Sequence, residues 1–190
     1  DSIGGSHSNG DRLDMRVAFG EGFGNAWSGI ISDDSYYRDS SGSNQGVGFH
    51  IDVENNVISN PGWYSEGSVQ SILYDIYDSN NEVGDSVSLG LAPIYSLLIG
   101  AQKNTPALTS IFSFGTGIKS ENPLADSDIN TLLDAQNIVG SSMDIYGSTE
   151  TNNAGNATHV TPIYSVITAN GIASNELCSI NEFGSRNKLS

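Results

Sequence analysis

The stretch RVAFGEGFGNAWSGII, Arg16–Ile31, sets Gly20, Gly22 and Gly24 around a single glutamate inside an otherwise apolar run. Few local structures accommodate that pattern. Positions three, four and seven apart share one face of a helix. Met15, Phe19, Phe23, Ala26, Trp27 and Ile30 then form a stripe wide enough to bury, while Asp14, Ala18, Glu21, Asn25 and Ser28 form a narrower polar seam. Each glycine costs roughly 1 kcal/mol in helix propensity relative to alanine. A helix carrying three of them is expected to let a neighbouring backbone come very close, with Gly24 among the contact positions. Glu21, in the middle of the seam, reads either as a functional carboxylate or as a buried acid bonded to a loop.

Further along, WYSEGSVQSILYDIYDS follows Asn60-Pro61-Gly62, with Val69, Ile72, Leu73, Ile76 and Tyr77 at amphipathic helix spacing. Glu66 falls in its first turn, where the helix dipole favours an anion. Three more helices are expected. Leu89–Lys103 would bury Leu91, Ile94, Tyr95, Leu98 and Ile99. Ala107–Lys119 would start after Thr105-Pro106 and bury Leu108, Ile111, Phe112 and Ile118. A shorter helix from Asp126 or Ser127 to Val139 would turn Ile129, Leu132 and Leu133 inward, with Gly140 ending it. Asp11 is the expected N-cap of the first helix, which should end near Ser32.

Between the first two helices, SDDSYYRDSSGSNQG reads as a turn and a loop, and GVGFHIDVENN as one short strand. His50, Asp52 and Glu54 would share a strand face. Alternate strand positions lie about 7 Å apart, too far for one ion, so this face reads as solvated. Asp1–Gly10 is a glycine–serine loop in which His7 is a surface residue or lines a cleft. Asp78–Asp85 reads as an acidic turn between helices. It is a poor calcium loop, because its glycine comes one position late and a glutamate at the twelfth position is missing. The expected architecture is mainly α: a bundle of about five helices with a small strand or hairpin. Residues 1–140 would form the helical lobe. Residues 141–190 would be irregular, pack on that lobe and lead toward a further domain. Asn156-Ala157-Thr158 matches the N-glycosylation triplet.

Asp and Glu outnumber Lys and Arg 22 to 7, for a net charge of −15. A nucleic-acid partner bound through a basic surface is therefore disfavoured, as is an anionic membrane surface. The lone Cys178 excludes an intramolecular disulfide framework. The chain opens on Asp1 without a signal peptide, which reads as a processed or trimmed terminus.

GEGFGN resembles the third-ligand helix of the gluzincin zinc metallopeptidases. Thermolysin-like members read N-E-A-x-S-D there, and aminopeptidase-like members N-E-G-F-A. The wider stretch DSIGGSHSNGDRLDMRVAFGEGFGNAWSGI is also similar to secreted bacterial proteins in which an H-E-x-x-H helix lies just upstream. The resemblance implies that Glu21 is the zinc-binding glutamate. Asn25 would take the place of the acid one turn later that orients a zinc-bound histidine. Tyr64 would donate to the tetrahedral oxyanion, and His7 and Glu66 could line the cleft. The departure is large, because no H-E-x-x-H occurs and His7, His50 and His159 stand alone.

What this implies is the C-terminal lobe of a secreted, cell-surface or periplasmic bacterial peptidase. Zinc would belong to the full-length protein, with none bound by this piece, which would be inactive alone. Its partners would be a peptide or protein substrate and the upstream H-E-x-x-H segment. The competing expectation is a non-catalytic acidic binding or structural module of an exported multidomain protein.

Overall fold

The computed structural model describes residues 7–8, 10–55, 57–80 and 84–151, together with the backbone of two short strands, Cys178–Ile180 and Arg186–Lys188. Five α-helices and an antiparallel hairpin make up the lobe. In chain order these are α1 (Met15–Ser32), β1 (Tyr36–Ser41), β2 (Val47–Asp52), α2 (Glu66–Tyr77), α3 (Leu91–Leu97), α4 (Ile111–Glu121) and α5 (Asp126–Ala135). β3 (Cys178–Ile180) and β4 (Arg186–Lys188) form a second antiparallel pair. The glycosylation triplet lies outside the described residues.

The stripe on α1 is buried as its spacing predicts, with Met15, Phe19, Ala26 and Ile30 inside and Phe23 and Trp27 half-buried. Phe23 stacks between Phe19 and Trp27, and Phe19 meets Phe114 of α4 at 5.9 Å between ring centres. Asp14 rather than Asp11 caps the helix. Its Oδ1 accepts from the Arg16 N–H at 2.9 Å and its carboxylate also pairs with the Arg16 guanidinium. α1 ends at Asp33, which adopts the left-handed conformation (φ 53°) and sends its N–H to the Gly29 carbonyl.

α1 and α2 run in the same direction. Leu13 N–H donates to the Tyr64 carbonyl (2.8 Å), Asn25 meets Gln70, Gly29 faces the Tyr74 ring, and Asp33 accepts from the Tyr77 hydroxyl (2.8 Å). Partner numbers that rise together mean parallel axes, so Asp33–Ser65 must cross back along the pair. The hairpin lies in that crossover. Residues read as a loop form β1, which pairs with β2 from Tyr36↔Asp52 to Ser41↔Val47. The polar composition of YYRDSS hides a strand whose cross-strand contacts are aromatic: Tyr36 with His50 and Tyr37 with Phe49.

The core gathers Trp63, Ile72, Leu73 and Ile76 against Ile94 and Leu97, Ile111, Phe112, Phe114 and Ile118, and Ile129 and Leu133. On α3 the buried face is rotated from the expected one. Leu91, Tyr95 and Ile99 are exposed, whereas Leu97 is fully buried over Gly117. The helix continues as a wide π-type turn through Leu98–Gln102, which carries Gln102 inward to donate to Ser113 Oγ at 3.0 Å. α4 begins later than Thr105-Pro106 suggests, after Ser110, whose N–H donates to Ser113 Oγ at 3.0 Å, so Leu108 lies outside the helix. α5 stops at Ala135, short of Val139. Residues 141–151 follow as turns held on the lobe, with Met143 against Gly115 and Gly147 against the Phe112 ring.

Candidate functional site

The parallel pair of helices has a polar edge. On α1, Glu21 is exposed, and no hydrogen bond or ion pair among the described residues holds its carboxylate. One turn on, Asn25 is half-buried and its Nδ2 donates to Gln70 Oε1 at 3.0 Å. Gln70 is almost wholly buried in α2, so it fixes the Asn25 carboxamide and leaves Asn25 Oδ1 as an acceptor.

Glu66 opens α2 one turn before Gln70, after Ser65, whose side chain accepts from the Ser68 N–H. Its carboxylate, 10% exposed, receives His7 Nε2 at 3.1 Å, and the His7 side chain is 20% exposed. His7 is thus held against the lobe rather than displayed from a loop. Glu21 and Glu66 lie on adjacent turns of the two helices, because Gly22 touches the backbone of Glu66 and the side chain of Val69.

The hairpin adds a residue that sequence reasoning did not single out. Tyr37 of β1 is half-buried, and its phenol is pushed above its ordinary pKa, chiefly by burial and then by the charges of Asp39, Glu21 and Glu66. A phenol in that setting stays protonated and is available as a donor. The signal that could have found it is the match of two six-residue strands across Gly42–Gly46, which brings Tyr37 over the helix pair.

Tyr64 is placed elsewhere. It is 6% exposed, its hydroxyl donates to the Pro61 carbonyl at 3.3 Å, and its ring meets Trp63 edge-on and lies under the Arg12 guanidinium. It therefore serves the N-terminal end of α1, whereas Glu21 lies eight residues beyond Leu13, roughly 12 Å along the axis. Glu21, Asn25, Glu66, His7 and Tyr37 share one edge of the molecule, and Tyr64 is a packing residue beside it. His50 is exposed on β2. Among the described residues no three of His, Cys, Asp and Glu are grouped so as to hold a metal ion.

The edge can accept hydrogen bonds through Glu21 and Asn25, donate one through Tyr37, and attract a cation. α1 and α2 pack in direct contact beneath it, at Gly22 against Glu66 and Val69 and at Gly29 against Tyr74. Comparison with protein-family models, with curated proteins and with solved structures finds no match to this chain. Among the described residues no helix is long and apolar enough to cross a membrane.

Proposed function

We propose that this chain is the helical lobe of a secreted zinc-dependent peptidase, supplying one carboxylate ligand and one wall of a substrate cleft. The histidine ligands and the general base would come from a segment outside these residues. The observation that carries the reading is the Glu21 carboxylate, exposed and held by no hydrogen bond or ion pair among the described residues, on a helix packed directly against its neighbour.

The described residues suit one ligand position and not a whole zinc site, since a catalytic zinc needs three protein ligands and an open place. When bound, the metal supplies an activated water for attack on a peptide carbonyl. No hydrolytic step is assigned to the residues of this chain; their part is to bind and orient. Asn25, held by Gln70, offers Oδ1 to the free N–H of a ligating histidine, the contact that fixes such a ring. Tyr37 offers a phenol O–H to the same edge, a better-placed donor than the inward Tyr64.

The test is to express the reading frame with the residues preceding Asp1 and measure zinc content and hydrolysis of a casein substrate. One zinc per chain, with zinc and activity lost in Glu21→Gln, is the expected result. A reading frame without an H-E-x-x-H ahead of Asp1, or full activity in Glu21→Gln, overturns the reading.

The second reading, a non-catalytic acidic binding or structural module, is favoured by one observation. Asn25–Gln70 and His7–Glu66 are already satisfied within the chain, as structural polar groups are. It predicts no zinc and no hydrolysis from the longer chain.

A further inference from the structure

The two outer edges of the β1–β2 hairpin are finished differently. In an antiparallel pair, residues alternate between exchanging main-chain bonds with the partner strand and pointing those groups away from it. The Val53 N–H donates to the Ser35 carbonyl at 2.8 Å, one step before the Tyr36↔Asp52 pair, and this sets the phase of the ladder. Tyr37, Asp39 and Ser41 therefore bond inward to Ile51, Phe49 and Val47. The N–H and carbonyl groups of Tyr36, Arg38 and Ser40 point out from β1, and those of Gly48, His50 and Asp52 point out from β2.

β1, the strand that packs on α1, has its edge capped by its own side chains. The Tyr36 N–H donates to Asp34 Oδ1 (3.0 Å), the Tyr36 carbonyl accepts from the Arg38 guanidinium (3.0 Å), and the Ser40 N–H donates to Asp39 Oδ1 (2.7 Å). β2 is left open. Its Asp52 carbonyl is closed by the Asn55 N–H, but the outward groups of Gly48 and His50 meet no partner among the described residues, and both residues are exposed. Val47 and Phe49 beside them are 68% and 55% exposed, on the sheet face they share with Ile51 and Tyr37. No proline, lysine or bulge blunts this edge, the usual devices against pairing with another chain.

We propose that β2 is a self-association edge, pairing antiparallel with β2 of a second copy of this chain about a two-fold axis at Phe49. In that register Gly48 faces His50 of the second copy and His50 faces its Gly48, so the open groups of each strand are the ones that meet, and each such pair exchanges both main-chain bonds. Phe49 stands opposite Phe49 at a position where cross-strand side chains come closest, and Val47 stands opposite Ile51, which joins two exposed apolar rows into one. His50 and Asp52 face Gly48 and Gly46, so no like charges stand opposite each other. Moving the axis to His50 would set two imidazoles opposite each other instead. A patch that complements itself in this way is what a two-fold contact requires.

The capped edge decides where association stops. Once two β2 strands pair, the outer strands of the four-stranded sheet are the two copies of β1, whose outward groups at Tyr36 and Ser40 are already taken. The assembly therefore closes at two chains and does not extend into a filament. A contact built on one six-residue strand per chain is small beside the roughly 1,000 Å² of a stable interface, so the dimer is a weak one. The net charge of −15 on each chain opposes it, and salt screens that repulsion. The contact holds whether or not Glu21 meets a metal, so its fate is independent of the peptidase reading.

The test is sedimentation velocity of the full chain from about 10 μM to about 1 mM, at about 0.15 M and about 0.5 M sodium chloride. A reversible monomer–dimer equilibrium is expected, with more dimer at the higher salt and no larger species. His50→Pro removes an outward N–H without costing a bond to β1, and should weaken the dimer about tenfold or more, since the two-fold repeats the loss. Phe49→Lys and Phe49→Glu each place like charges opposite one another and should be monomeric alone. Mixed, they should dimerise again, which also shows that each variant folds. Leu124→Lys, fully exposed and outside the hairpin, keeps the parent association. Three results overturn the proposal: a monomer at every concentration in both salts, which leaves the edge to an extended segment of another protein; an undiminished dimer in His50→Pro; or a mixture of the two Phe49 variants that stays monomeric.

Discussion

A Cβ on Gly22 would lie 2.5 Å from the carbonyl oxygen of Glu66, so α1 and α2 meet there with no room for a methyl group. It would also press on Val69 at 2.7 Å. Gly24, expected to share that role, has open space around the same position, as does Gly20. Close approach is therefore confined to the inward-facing glycines 22 and 29. Gly22→Ala is expected to destabilise by about 1–3 kcal/mol through overpacking. Gly24→Ala should instead gain up to about 1 kcal/mol of helix propensity. Urea denaturation of both variants checks the pair, and equal effects of one sign would contradict the packing.

The Asn25–Gln70 hydrogen bond couples the seam of α1 to the buried face of α2. Asn25→Ala should cost about 1–3 kcal/mol, because the buried Gln70 is then left without that partner. A double-mutant cycle with Gln70→Ala is expected to give a coupling of about 0.5–1.5 kcal/mol. Additive losses would mean that the bond contributes nothing in solution.

With one exposed carboxylate and no grouped ligands among its described residues, the isolated chain should not hold zinc tightly. Equilibrium dialysis at micromolar zinc is expected to give less than one equivalent, unchanged in Glu21→Ala. A full equivalent that vanishes in Glu21→Ala would show that residues 1–190 build the site unaided.

Asp78 and Asp85 should leave a signature in the pH dependence of stability. Pushed up by burial, their folded carboxyls titrate above the ordinary 3.8, so over the acid range these two groups hold more protons in the native state than in the unfolded chain. By linkage, stability then falls as pH rises. Their contribution is fully present below the unfolded value and is lost as pH climbs through the raised folded values. Asp85→Asn should therefore show a flatter decline of Tm than the parent as pH rises above the ordinary carboxylate value. Circular-dichroism melts across that window decide, and a steeper decline in the variant would contradict the assignment.

Much of the helical framework is legible in spacing alone. Val69, Ile72, Leu73 and Ile76 of α2 are all buried as their period requires, and the stripe of α1 from Met15 to Ile30 faces the core. α3 was less legible because two of its faces are about equally apolar. Ile94 is buried as expected, but the burial of Leu97 in place of Leu91, Tyr95 and Ile99 rests on Leu97 fitting over Gly117, a contact between distant segments. β1 escaped notice because its strand character comes from its partner and not from its own polar residues. At the polar edge, the helical seam of Glu21 and Asn25 was readable. The inward turn of Tyr64 and the arrival of Tyr37 were not, since both depend on how Asp33–Ser65 crosses the helix pair. The buried oxygens of Asp78 and Asp85 look in sequence like any solvated acidic turn.

The parallel course of α1 and α2 also bears on the order of folding. Antiparallel neighbours joined by a short turn can zip from that turn, each new contact lying close in sequence to the last. Here no such start exists, because every α1–α2 contact spans the Asp33–Ser65 crossover, and that loop must close before any of them forms. Non-local contacts of this kind slow the search. The hairpin of β1 and β2, closed by a turn of only a few residues, can form first and shorten the distance. Hairpin substitutions such as Phe49→Ala are thus expected to slow refolding more than their small burial suggests, while changes at the Gly22 contact mainly speed unfolding.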